Sequence, residues 1–192
     1  MAKVGMIRPR YTVITPGTDS SGKETETYGE IKVFSKAIRA NTSVNAAQAD
    51  LYADDGLAES AHEFIDGTMT FEGDDIESEA EAEVTGATLD EEGNVVNTGD
   101  DVAPYLRFGF LIRRYKSNKS QYRGVVFPKL KFDPIADDYE TKGQTIVFKT
   151  ISLTAKFVKN ALGQWRIKSK WTTEAEAETW IGKWLKPTVT TE

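Results

Sequence analysis

Apolar and polar side chains alternate along much of this chain, and that alternation predicts strands. In "FIDGTMTFEG", Ile65, Met69 and Phe71 fall on one side of an extended backbone, with Asp66, Thr68, Thr70 and Glu72 on the other. A period of two with one apolar side is the pattern of a strand half-buried against a core. "YLRFGFLIRRY" repeats it: Leu106, Phe108, Phe110 and Ile112 oppose Tyr105, Arg107, Gly109, Leu111 and Arg113. The polar "KSNKSQ" suits a hairpin turn, and "QYRGVVFPKLKF" reads as the strand beyond it. Pro128, which cannot donate to a ladder, places that strand at an edge or gives it a bulge. "QTIVFKTISLTAKFV" is a long run rich in β-branched residues, and after "KNALGQ" comes a short return strand, "WRIKS".

Two segments carry helical spacing instead. In "DDIESEAEAEVTGA", Ile76, Ala80 and Val84 recur four residues apart on one stripe. Asp74 or Asp75 is placed to cap its start and Gly86 to end it. Glu77, Glu79, Glu81 and Glu83 leave the rest of its surface to solvent or a basic partner. The second helix is "TTEAEAETWIGKWLKP", where Thr173 and Glu176 have capping-box spacing and Pro187 marks the stop. Its apolar face holds Ala177, Trp180, Ile181, Trp184 and Leu185. That face either covers an open face of the subunit's own sheet or docks on a neighbouring copy. Residues 15–29, "TPGTDSSGKETETYG", read as a flexible or partner-ordered segment.

Charge divides this mainly β chain sharply. Its 192 residues carry a net charge of −6, but Asn41 to Val102 contain 18 acidic residues and no Lys or Arg. Residues 1–40 hold 7 basic and 4 acidic groups, and residues 103–192 hold 17 and 8. An acidic middle between basic flanks pairs within the fold, or makes oppositely charged faces that dock copy to copy. Cysteine is absent, which removes disulfides, thiolate zinc sites and cysteine nucleophiles together. No apolar run has the roughly 20 residues of a membrane span, and "MAKVGMIRPR" lacks a secretory apolar stretch. Synthesis and folding in the cytosol follow as the expectation.

Catalytic readings find little support. Tyr52-Ala53-Asp54-Asp55 matches the paired aspartates that reverse transcriptases present to two metal ions. Those aspartates need apolar strands on both sides, and "NAAQAD" and "GLAESAHE" are not apolar. Neither "DGTMTFEGDDIE" nor "DEEGNVVNTGDD" has EF-hand ligand spacing; a looser cation site among Asp50, Asp54 and Asp55 is an alternative to a solvated loop. His62, the only histidine, lies in a strand-like stretch with no G-x-S-x-G elsewhere. Phosphate-loop and dinucleotide glycine patterns are also missing. "RRYKSNKSQYR" mixes cations with Tyr115 and Tyr122, as nucleic-acid grips do, yet it falls at a predicted hairpin where lysines are ordinary.

The order of segments carries a resemblance. "KAIRANTSV" leads into "LYADDG", then "EFIDGTMTFEGDDI" enters the acidic helix. "GATLDEEGNVVNTGDDVAPYLRFGF" and "YETKGQTIVFKTISLTAKF" follow. From about Val4 to Arg166 the chain resembles the major tail protein, or tail tube protein, family of long-tailed phages and prophages of Gram-positive bacteria. The resemblance implies an antiparallel β-sandwich or barrel-like tail-tube fold with a flanking short helix, similar in architecture to the tube protein of type VI secretion. The C-terminal helix is less expected from it. Residues 1–170 would form the tube domain, and 171–192 a C-terminal helix and tail. Implied too are hexameric rings that stack into a tube through loops and terminal arms, with genome DNA passing down the lumen. Tape-measure and tail-end proteins would be partners, the virion tail the location, and neither catalysis nor a cofactor nor a metal is implied. A host-surface or carbohydrate-binding β-sandwich of a phage tail is the alternative. Within this reading "LYADDG" is a turning loop between strands. Leu51, Tyr52, Asp54 and Asp55 there, and Trp180 and Trp184 on the last helix, are the candidate subunit or ring contacts.

Overall fold

A computed structural model describes residues 2–22, 24–53, 56–116, 119–136, 141 and 149–187. The chain runs through β1 (Ala2–Thr18), β2 (Glu24–Tyr28), β3 (Lys32–Val33), β4 (Ala37–Ala53) and β5 (Gly56–Gly73). Then come α1 (Ser78–Thr85), β6 (Thr88–Leu89), β7 (Val95–Val96), β8 (Tyr105–Lys116) and β9 (Lys119–Phe132). β10 (Ile151–Phe157), β11 (Ile167–Lys168) and α2 (Glu174–Leu185) complete it. Among the described residues, nine strands share one antiparallel sheet in the order β2-β1-β8-β9-β10-β5-β4, with β3 on β1 and β11 on β9; β6 and β7 pair separately. The fold is mainly β, as the alternation predicts, and sandwich-like.

Aromatic packing shows how the sheet closes over its core. Two strands, β9 and β10, separate β8 from β5 in the sheet. On a flat sheet that places them about 14 Å apart at ~4.8 Å per strand. Phe71 of β5 and Phe108 of β8 nevertheless meet edge to face with ring centroids 5.7 Å apart. The sheet therefore curls until its inner faces touch. Phe34, Phe127, Phe132, Phe157, Leu106, Leu130 and Leu153 fill the space, all at most 2 % exposed. β1 and β4 come into contact at the seam of the curl but share no ladder, so the barrel-like sheet stays open there.

Bulges decide which residues reach that core. Pairing of β4 with β5 steps from Asn45–Asp66 to Ala46–Phe64, leaving Ile65 as an extra residue. The extra residue reverses the alternation beyond it. Phe64 consequently packs on the core and stacks on Trp165 at 4.7 Å, whereas Ile65, expected on the apolar side, is 58 % exposed. Phe64→Ala should lower stability by about 2–4 kcal/mol, and Ile65→Ala should change it by less than about 0.5 kcal/mol. Urea titration of the two variants checks this; equal losses would place Ile65 in the core. Pro128 behaves as its chemistry requires: pairing steps from Leu106–Leu130 to Phe108–Phe127, so Pro128 and Lys129 oppose a single residue.

Several local expectations change. α1 starts with Glu77 as N-cap and no side-chain cap. Asp74 and Asp75 lie ahead of the helix instead, accepting backbone N–H bonds from Lys36 and Asp75 and from Ile76. Gly86 does end it, at φ 80°, where a Cβ would stand 2.4 Å from the Val102 carbonyl oxygen. Most of segment 15–29 pairs as a hairpin, Ile14–Tyr28 through Thr18–Glu24 between β1 and β2. Its turn is tied by Asp19, which accepts from the backbone and hydroxyl of Ser21. Threonines there take strand geometry although their polarity resembles that of a linker. The return strand β11 pairs with β9, not with β10. The first part of "QTIVFKTISLTAKFV", residues 144–148, lies outside the described residues.

Candidate assembly surfaces

β4 and β5 form a hairpin that outruns the sheet. β10 covers β5 only over Gly67–Gly73, while the β4–β5 ladder continues from Asn45–Asp66 to Ala53–Gly56. Past the Ala46–Phe64 pair, each arm strand has no ladder partner but the other among the described residues. At ~3.3 Å per residue the nine positions from Asn45 to Ala53 extend the arm about 30 Å. Its described side chains are mostly small or acidic: Ala46, Ala47, Ala49 and Asp50 face solvent on β4, and Glu59, Ala61 and Glu63 on β5. Between described residues the arm has one ion pair, Lys159 Nζ to Glu63 at 3.1 Å. Asp50 instead accepts from the Gln48 amide and the Ser60 hydroxyl.

The sequence-predicted residues divide between two places. Leu51, 60 % exposed, sits near the arm's tip, and Tyr52 follows it in the ladder opposite Leu57. Asp54 and Asp55 lie outside the described residues, between the paired Ala53 and Gly56. Trp180 and Trp184 stand together on α2 with ring centroids 6.1 Å apart. His62 is an exposed strand residue paired with Gln48.

The apolar face of α2 covers the subunit's own sheet. Ala177, Ile181 and Leu185 are buried against Leu111 of β8 and Val126 of β9. Trp180 and Trp184 are half-buried at the border of that contact. A glycine makes room for the indole: a Cβ on Gly124 would stand 2.4 Å from the Trp180 ring. The outer face of β8, left polar by strict alternation, is thus a second buried face.

Both ends of α2 are fastened by cations that alternation does not reveal. At the start, Thr173 and Glu176 complete the capping box, and the Thr173 hydroxyl, which donates to its carboxylate, holds Glu176 below its ordinary range. Arg8 takes a left-handed φ of 54° where β1 bulges between Ile7 and Arg10. That bend aims its guanidinium at Glu174, 2.9 Å away, and at Glu178. At the other end Arg107, 5 % exposed, donates to the Trp184 carbonyl at 2.6 Å and lies 4.6 Å over the Tyr28 ring. Burial lowers its pKa, and Tyr28 and Glu26 favour the charged form.

Part of the acidic middle is neutralised internally. Glu83 of α1 accepts from the Tyr11 hydroxyl at 2.6 Å and pairs with Lys32 at 2.8 Å. Burial first, then Glu83, pushes the Tyr11 hydroxyl far above its ordinary range. Arg39 pairs with Glu72 and Lys36 with Asp74. The "EEGNVV" stretch is the tight β6–β7 hairpin, built on Asp90, which accepts from Asn94 and the backbone of Glu92. The basic "RRYKSNKSQYR" is the far end of the β8–β9 hairpin, with Arg113 opposite Tyr122.

At the seam between β1 and β4 a groove of about 360 Å³ opens onto the core. Met6, Phe110, Ile112 and Val125 contribute to its apolar lining, and Arg39, Arg166 and Lys168 line it as well. Sequence reasoning missed this groove, since its walls come from five strands distant in the chain. Among the described residues no group of three or more metal-ligating side chains comes together, and no helix is long and apolar enough to cross a membrane. No protein-family model matches this chain, and no curated protein matches it.

Proposed function

We propose that this chain is a non-catalytic structural protein of a phage virion, forming hexameric rings that stack into a tail tube for genome DNA. The observation that carries the reading is the β4–β5 arm, a two-stranded ladder that runs on past β10 with no third strand beside it among the described residues. An isolated two-stranded hairpin is marginal in water. Neighbouring copies would supply the arm with the contacts that its own core does not. The sheet also ends in two unlike edges, β2 and β4. Joining one copy's β4 edge to the next copy's β2 edge is a head-to-tail contact, which closes a ring and leaves no strand edge exposed.

Charge and the segment order discussed above support the same reading. The arm is acidic, and an acidic wall repels phosphates, so DNA would slide without the salt-dependent grip of a basic channel. Tape-measure and tail-end proteins would meet the tube at its length and ends. For glycan binding, the described surface offers little aromatic stacking area: the large exposed aromatics are Tyr105 and Tyr115, at opposite ends of β8.

Electron microscopy and light scattering of the purified chain at rising concentration test the proposal. Rings or tubes with a central channel are the expected result. A strict monomer that is retained on immobilised glycans would overturn it in favour of a host-surface binding domain.

A further inference from the structure

We propose that the seam groove between β1 and β4 receives the Leu51 end of the β4–β5 arm from a second copy of this chain. The inference rests on the assembly reading and names the two surfaces that meet. The groove floor is apolar yet open: Phe110 and Val125 lie at its base, while Val4 and Ile38 at its margin are 59 % and 52 % exposed. Ile38 is there because β4 bulges, pairing stepping from Ala37–Gly73 to Arg39–Glu72. Exposed branched residues beside an apolar groove are the features of a contact surface.

Length excludes the chain's own arm as the occupant. β4 lines the groove at Ile38–Thr42 and then leaves it as a paired strand. Leu51 lies nine residues beyond Thr42, about 30 Å away at ~3.3 Å per residue. The ladder with β5 keeps that stretch extended, so it does not turn back on itself. An arm that points away from its own groove can fill only another copy's groove. Such a donor-to-acceptor contact is heterologous and propagates from copy to copy.

Charge selects the same pair. Arg39, Arg166 and Lys168 line the groove, so cations outnumber acids in its lining. The arm brings Asp50 and Glu59 beside Leu51, with Asp54 and Asp55 next in sequence and no Lys or Arg anywhere from Asn41 to Val102. An apolar anchor ringed by acids thus faces an apolar groove ringed by cations. Complementary patches of this kind fix register as well as drawing the copies together.

The absence of cysteine makes a direct test clean. Leu51→Cys and Ile38→Cys are made in separate chains, mixed, and treated with a short bis-maleimide under conditions where wild-type chains assemble. Leu162→Cys, at a turn residue 78 % exposed, replaces Ile38→Cys as the control. Because docking converts a collision into a reaction between held neighbours, the Leu51–Ile38 heterodimer should exceed the Leu51–Leu162 product about tenfold or more. Rings or tubes without that excess would overturn the groove contact and leave the tube reading standing. Failure of the wild-type chain to assemble at any concentration would overturn both.

Discussion

Phe108→Ala should lower the free energy of unfolding by about 3–5 kcal/mol, the range for truncating a fully buried aromatic. Phe108 is 0 % exposed and is the hub of the aromatic core. Its ring centroid lies 5.3 Å from Phe34, 5.7 Å from Phe71 and 5.9 Å from Phe132. Those partners come from the β3–β4 connection, β5 and β9, so one ring links the two inner faces of the curled sheet. Removing it leaves a cavity that the rigid sheet cannot close, and each neighbouring ring loses an edge-to-face contact. At about 2–4 °C per kcal/mol for a chain of this size, the melting temperature should fall by roughly 10 °C. Differential scanning calorimetry reads the shift. A loss below about 1 kcal/mol would mean that the two inner faces do not depend on this ring for their contact.

Shortening the arm should have the opposite profile: assembly is lost and the fold remains. Deleting Ala47–Glu63 and joining Ala46 to Phe64 through Asn-Gly keeps the pairing of β5 with β10 and of β4 with β5 up to Ala46–Phe64. Asn-Gly is the preferred two-residue hairpin connection, with both residues able to take positive φ. Among the removed residues whose side chains the structure describes, none belongs to the buried core. The melting temperature of the truncated chain should therefore stay within about 3 °C of the wild type, a change of about 1 kcal/mol. Light scattering should show monomers at every concentration that gives rings or tubes of the intact chain. Tubes from the truncated chain would remove the arm from the assembly contact. Loss of the folded state would show instead that the arm belongs to the folding unit.

The two outcomes bear on different links between sequence and function. Phe108 is a strand residue whose burial follows from period-two alternation, as it does for Leu106 and Phe110. The other side of the same strand was not legible in that way. Arg107, Gly109 and Leu111 alternate with the core face and read as solvent-facing. They are buried because α2 lies across them, and α2 begins more than sixty residues later. Arg107 stays tolerable there by giving a hydrogen bond to the Trp184 carbonyl and stacking on Tyr28.

The arm hid from sequence reasoning for a related reason. "NAAQAD" and "GLAESAHE" lack apolar alternation, and their described side chains, residues 45–50 and 59–63, are exposed on both faces. They are strands because backbone pairing, begun in register beside the core, runs on past it. The hairpin made from residues 15–29 is likewise held by a ladder grown from β1 and by Tyr28 beneath Arg107.

By itself the sequence determined the chemistry that is local. That covers alternating strands, the capping box of α2, the glycine stop of α1, an edge or a bulge at Pro128, and the charge division that leaves Asn41–Val102 without a cation. Each follows from a residue's own backbone preference, hydrogen-bonding capacity or charge. The tertiary structure alone decided what depends on distant segments meeting. It curled the sheet so that Phe71 touches Phe108, exchanged Phe64 for Ile65 through a single extra residue, and seated α2 on its own sheet. It also ran the β4–β5 ladder past β10 and left β1 and β4 without a shared ladder at their seam. Register and curvature are sums over the whole ladder, and one inserted residue reverses a face, so neither can be read from any one window of the chain.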